Sequence, residues 1–312
     1  MILGDCRLLI KIKGRLNMRW SIQKRLEFLE TRLLWEEKIS RGDLVDFFDI
    51  STPQATKDLK LYQEKAPANL YYDKSMKQYV AAEGIDPIFV PFKSESYFSQ
   101  LLIALLNKEE GVFSCGTMPP AYQLPNPGRM VDEAILKAIL RCIHAGSSIR
   151  IEYQSLNSPE PAKRWISPHA LGFDWHRWHV RSLCHKHREY RDFNLGRILS
   201  VGDMKEDSID HSNDFLWHNT ITFRISTHPD LTPSQKKCIE RDYNMVDGTA
   251  EIEVKAAFHF YFKERFKLKK GHKEKSAKEQ QIVLTNEDEI NTQIKLLQNI
   301  ERKRLESIDL AE

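Results

Sequence analysis

Four prolines fall within the fourteen residues GTMPPAYQLPNPGR, numbers 116–129. Proline has no backbone N–H and pushes the residue before it toward extended conformations, so neither a helix nor an interior strand can cross such a segment. The 312-residue chain is thereby divided into parts that must each bury a core of their own. Before the break, SYFSQLLIALLN reads as a helix. After it, MVDEAILKAILRCIHAG places Val131, Ile135, Ile139 and Ile143 on one stripe and ends at Gly146, where a left-handed cap is expected.

Upstream, IQKRLEFLETRLLWEE repeats Ile22, Leu26, Leu29 and Leu33 at helical spacing, and RGDLVDFFDI fits a second, shorter helix on Leu44, Phe47 and Phe48. Ser51 and Gln54 then form an S-x-x-Q capping signal with Pro53 in the first turn, which starts a third helix. Its apolar positions Ala55, Leu59 and Tyr62 hold it to the others and leave Thr52, Gln54, Thr56, Lys57 and Lys60 outward, a mixture of hydrogen-bonding and cationic side chains suited to base edges and phosphates. NLYYDKSMKQYVA alternates and turns at Asp73 to Ser75, a two-stranded wing offering Lys74 and Lys77. The pattern is that of a winged helix-turn-helix, with double-stranded DNA as its expected partner and a protein-binding winged helix as the alternative.

The strands after Gly146 carry the unusual chemistry. In SSIRIEYQSLNS, Ile149, Ile151, Tyr153 and Ser155 share one parity; in HRWHVRS, Trp178 and Val180 oppose Arg177, His179 and Arg181. In YRDFNLGRI, Arg191 and Arg197 stand in line with Phe193 and Leu195, which requires a rim position or a partner for each guanidinium. A barrel mouth lined by hydroxyl, imidazole and guanidinium groups suits an anion. A metal site built from His176, His179, Cys184, His185 and His187 has no recognised zinc spacing and is flanked by Arg177, Lys186 and Arg188. A hydrolase using His169 and His179 lacks both a nucleophile motif and a carboxylate set, so no catalytic residue, metal or cofactor is expected. Trp175, His176, His185 and His187 read as ordinary core or surface positions.

Arg164, WISPHALGF with Pro168 and His169, the RWHV strand and YRDFNLGRI together resemble the WYL-domain transcription regulators, and the order of motifs resembles the BrxR and CapW subgroup found with phage-defence operons. Trp178 stands at the family's tryptophan, whereas His179 and Val180 replace the usual tyrosine and leucine, and Gly196 replaces a common aspartate. The likeness spans about Trp20 to Phe266. It implies an α+β chain: an amino-terminal winged helix-turn-helix, a central Sm/SH3-like β-barrel, and a carboxy-terminal α/β sandwich extension domain that assembles a homodimer. It implies a repressor acting at an inverted repeat, with a barrel that senses a nucleotide or short nucleic acid through Tyr153, Ser155, His169, Trp178, Arg181, Arg191 and Arg197. An accessory protein that binds nucleic acid and regulates a defence enzyme is the alternative.

The expected divisions are a tail at 1–18, the winged helix at 19–95, a helical connector at 96–129, the sensing domain at 130–204 and the dimerisation domain at 205–312. In the last of these, Thr232, Pro233 and Gln235 make a second capping signal, and the lysine run KLKKGHKEK reads as a solvated loop. A formal charge of +3 leaves nucleic-acid binding to local surfaces. Five scattered cysteines and the lack of any long apolar run predict a cytoplasmic protein that does not enter a membrane.

Overall fold

A computed structural model describes residues 19–106, 113–125, 127, 129–207 and 209–306. The tail expected at 1–18 lies outside them. The chain separates into two compact units, Met1–Pro125 and Asn126–Glu312, and the division falls inside the proline-rich segment.

In the first unit, α1 (Trp20–Glu36), α2 (Arg41–Phe48) and α3 (Thr52–Lys65) close on Leu26, Leu29, Leu33, Leu44, Leu59 and Tyr62, all almost fully buried. Ser40 begins α2 through a reciprocal cap with Asp43. The wing has three strands rather than two: β1 (Lys38–Ile39) pairs with β3 (Gln78–Ala81), which pairs with β2 (Leu70–Asp73), all antiparallel. β1 is too short to carry a period, so the sequence did not reveal it. Glu30 on α1 is completely buried, and its carboxylate accepts hydrogen bonds from the amides of Ile88, Phe89 and Val90 at 2.6–2.8 Å and from the Tyr62 hydroxyl at 3.0 Å. One acid thus anchors the segment after the wing to two helices; without those donors a buried carboxylate would be strongly destabilising. α4 (Ser94–Leu106) joins this unit through Tyr97, whose ring centroid lies 4.6 Å from that of Trp35.

The second unit begins with α5 (Glu133–Ala145), capped by Asp132 at one end and at the other by Gly146 at φ 62°, a left-handed position that favours glycine. Five antiparallel strands follow: β4 (Ser147–Tyr153), β5 (Ala162–Phe173), β6 (Trp178–Cys184), β7 (Glu189–Asn194) and β8 (Ile198–Glu206), in the order β7-β6-β5-β4-β8. Register shifts in β4/β8 and in β5/β6 bend the strands. The edge strands β7 and β8 are not paired with each other among the described residues, so the closed barrel expected from the sequence is absent. Ile135, Ala138, Ile139 and Cys142 of α5 pack with Ile149, Ile151, Ile166 and Val180, so a helix covers the face that closure would otherwise bury. The expected alternation also ends early. Leu195–Arg197 is a 3-10 turn linking the edge strands, so Arg197 does not extend the row of Arg191 and Phe193.

The remainder contains α6 (Phe215–His218), β9 (Thr220–Thr227), α7 (Pro233–Asp242), β10 (Thr249–Lys255), α8 (His259–Arg265), β11 (Ile282–Leu284) and α9 (Glu287–Glu306). The sheet order β10-β9-β11 is antiparallel, and its core joins Phe223, Ile225, Leu284, Ile290 and Ile294. Thr232 and Gln235 form the expected capping box on α7. Leu305 of α9 reaches the strands of the five-stranded sheet and packs on Leu183 and Tyr190.

Candidate functional site

The sequence-expected DNA-facing residues divide by how free their side chains are. Lys57 and Lys60 on α3 are exposed, as are Lys74 and Lys77 at the β2–β3 turn, and none of the four has a salt-bridge partner among the described residues. The turn is fixed by Asp73, whose Oδ1 accepts from the Ser75 hydroxyl at 2.6 Å and from the amides of Met76 and Ser75 at 3.0 and 2.7 Å, bonds that also lower its pKa. Thr52 is exposed, but the Thr56 hydroxyl donates back to the Thr52 carbonyl at 2.9 Å. Gln54 departs from expectation. Ser51 Oγ accepts from its amide, yet the Gln54 side chain does not return the bond; its Nε2 donates to Asp58 Oδ1 at 2.9 Å. Asp58 is buried and accepts from Arg25 Nε at 2.6 Å and Nη2 at 3.2 Å, a fork that fastens α3 to α1. The local pattern showed Gln54 as outward because the partner of Asp58 lies 33 residues upstream.

The seven expected ligand residues do not converge on one pocket. Arg181 and His169 sit on the outer face of the five-stranded sheet and share Asp214: Arg181 Nε and Nη2 donate at 2.8 and 2.9 Å, and His169 Nε2 lies 2.9 Å away. Asp192 lies 3.3 Å from the same guanidinium. Burial works against both charges, but the bonds from Arg181 and His169 still bring Asp214 down to about 2, and the carboxylates raise the Arg181 pKa. Arg181 is therefore a satisfied structural cation. Trp178 is exposed beside Phe173, with ring centroids 4.9 Å apart. Ser155 Oγ accepts from the Asn157 amide, and the Arg197 carbonyl accepts from the Gln154 amide.

Tyr153 and Arg191 lie on the opposite, inner face. Tyr153 is 8% exposed and packs edge-on against Phe193. Arg191 pairs with exposed Glu189. Two further groups share that face. Arg164 lies opposite Ile151, with its guanidinium carbon 5.7 Å from the Tyr153 ring centroid, and Ser182 lies opposite Arg191. Arg164 Nε and Ser182 Oγ are buried without a hydrogen-bond partner among the described residues. His187, on the exposed β6–β7 turn, has its pKa lowered by desolvation and then by the charges of Arg191 and Arg164, which favour its neutral form. Arg164 had a legible signal, its parity with Ile166; Ser182 and His187 had none. The histidines of the alternative metal set are dispersed, His179 on Asp174 and His185 on Ser167.

A winged helix, a curled sheet with an inner cationic face and a small carboxy-terminal sheet follow one another along the chain, the order expected of the WYL-domain transcription regulators. Family models agree segment by segment: the BrxR transcriptional regulator winged helix-turn-helix domain at 21–102, the WYL domain at 134–202 and the BrxR transcriptional regulator C-terminal dimerization domain at 220–290. The DNA-binding transcriptional repressor CapW of Escherichia coli (strain KTE188) is 36% identical over 284 residues, 91% of this chain and 95% of that one. CapW of Pseudomonas aeruginosa is 37% identical over 89% and 93%, and CapW of Stenotrophomonas maltophilia is 35% identical over the same shares. The chain belongs to the CapW family of transcriptional repressors.

Proposed function

We propose that this chain represses transcription as a homodimer that sets two copies of α3 in successive major grooves of an inverted repeat, with the β2–β3 wings on the flanking phosphates. The carrying observation is the set of four exposed lysines without carboxylate partners among the described residues: Lys57 and Lys60 on α3, which the Arg25–Asp58 fork ties to α1, and Lys74 and Lys77 at the β2–β3 turn. The names of the relatives and the match to a dimerization domain support the same reading. Action on DNA implies a cytoplasmic location; among the described residues no helix is long and apolar enough to cross a membrane.

The five-stranded sheet acts as the sensor. The first strand pairs with the last, and a 3-10 turn joins the two edges, the connectivity an Sm/SH3-like barrel requires. On its inner face, Arg164 Nε and Ser182 Oγ are buried without acceptors among the described residues, and Ser182 lies opposite Arg191. A nucleotide or short nucleic acid supplies phosphate acceptors for these donors. Such a ligand changes operator affinity by its preference between the DNA-fitted and unfitted states, and a phage-defence operon is the regulated unit.

Anisotropy titrations of the chain's own promoter duplex at several salt concentrations test this. The Lys57→Ala, Lys60→Ala double variant should weaken binding and flatten the salt dependence by about 0.9 in log–log slope per lost phosphate contact. Arg191→Ala should keep operator affinity and lose the response to a mononucleotide or short single strand. Wild-type affinity and slope in the lysine variant would refute the α3 reading; a wild-type response in Arg191→Ala would refute the sensor.

A further inference from the structure

A cavity opens between the turn joining β5 to β6 and α8. Its volume is about 360 Å³, and Phe173, Trp175, Phe258, Tyr261 and Phe266 provide most of its wall. The turn is held by Asp174, whose Oδ1 accepts from the amides of His176 and Arg177, both at 2.7 Å. Trp175 sits there at φ 74°, a left-handed conformation that a bulky side chain seldom adopts, and the residue is 61% exposed. The fold thus holds a large flat ring in a strained position without burying it. Gly172 in β5 serves the opposite wall, because a Cβ there would collide with the Phe258 ring.

One cation borders this aromatic space. The Arg265 guanidinium carbon lies 3.6 Å from the centroid of the Trp175 ring, and no carboxylate is within salt-bridge distance of it among the described residues. The carboxylate in the wall, Asp174, is already occupied by two amides and by His179 Nε2 at 2.9 Å. Desolvation lowers the Arg265 pKa, with no neighbouring charge offsetting it. Flat walls select a flat ligand, and a planar fork that stacks on Trp175 but has no carboxylate partner among the described residues selects a negative group on it.

We propose that the cavity between the β5–β6 turn and α8 binds a small flat aromatic molecule carrying a negative charge, with its ring against Trp175 and Phe258 and its anionic group on Arg265. Two sources share this chemistry, a free aromatic acid and a nucleotide. The site is separate from the inner-face sensor and does not depend on it.

Isothermal titration of the full chain with naphthalene-2-sulfonate, 2-naphthol, AMP and orthophosphate separates the contributions. Naphthalene-2-sulfonate should bind, 2-naphthol at least tenfold more weakly, and orthophosphate not measurably. Arg265→Gln, a change at an exposed position, should weaken sulfonate binding at least tenfold, and Gly172→Ala should weaken it by displacing Phe258. AMP binding that Arg265→Gln removes assigns the site to nucleotides; sulfonate binding without AMP binding assigns it to free aromatic acids. The proposal is overturned if naphthalene-2-sulfonate does not bind, or if wild type and Arg265→Gln bind it within twofold of each other. It is likewise overturned if Trp175→Ser dissociates the dimer in light scattering, because a second copy would then cover this surface.

Discussion

At the scale of single residues, the outer face of the five-stranded sheet is dominated by one buried charge cluster. Asp214 neutralises Arg181 and orients His169, and Glu301 of α9 sits near enough to feel both. Burial, and then the Asp214 charge, push the Glu301 carboxyl up to about 7, while burial and then His169 bring His211 down to about 4. The two shifts act in opposite pH ranges. Glu301 titrates higher folded than unfolded, so its contribution is complete below about pH 4.5 and is lost as pH rises through about 7. His211 titrates lower folded, so stability falls as pH drops from about 6.5 toward 4. Glu301→Gln keeps an acceptor for the Leu216 amide but cannot ionise. It should match wild type in urea unfolding at pH 4 and exceed it by roughly 3 kcal/mol at pH 8, the equivalent of a shift from 4.5 to about 7. Equal midpoints at pH 8 would show that Glu301 stays ionised in the folded state.

Among elements, the position of α3 depends on a bridge to α1 that hydrophobic periodicity does not encode. Leu59 and Tyr62 bring α3 onto the core, but the Arg25–Asp58 fork and the bond from Gln54 fix its rotation. Asp58→Ala leaves Arg25 buried and unpaired, an arrangement that costs about 3–5 kcal/mol. Thermal unfolding of this variant should show the amino-terminal unit melting earlier and the second unit unchanged, with operator binding lost at temperatures between the two transitions. A uniform shift of both transitions would contradict independent cores. The same logic explains the treatment of Gln54: its type and spacing suit base reading, but its amide nitrogen is committed to positioning the helix that carries Lys57 and Lys60.

For the molecule as a whole, the proline-rich segment predicts where the chain can be cut. Arg129 and Met130 are exposed, and the chain divides into its two units after Pro125. Brief trypsin treatment should cleave after Arg129 and yield two fragments that each unfold cooperatively; cleavage spread evenly along the chain would argue against this division. The break itself, the helix stripes, the alternating strands, the Thr232 capping box and the three-part order were all legible, because proline chemistry and hydrophobic period are properties of neighbouring residues. The resemblance made Arg181 a ligand residue, but whether its partner was a ligand or the chain itself depended on Asp214, 33 residues away. The sequence could place Arg164 and Arg191 on one side of their strands, and only strand pairing could set Arg191 opposite Ser182. What the sequence alone determined was which elements form and which face of each is apolar; which polar side chains remained free was decided by tertiary contacts, since a charge is satisfied through space and not along the chain.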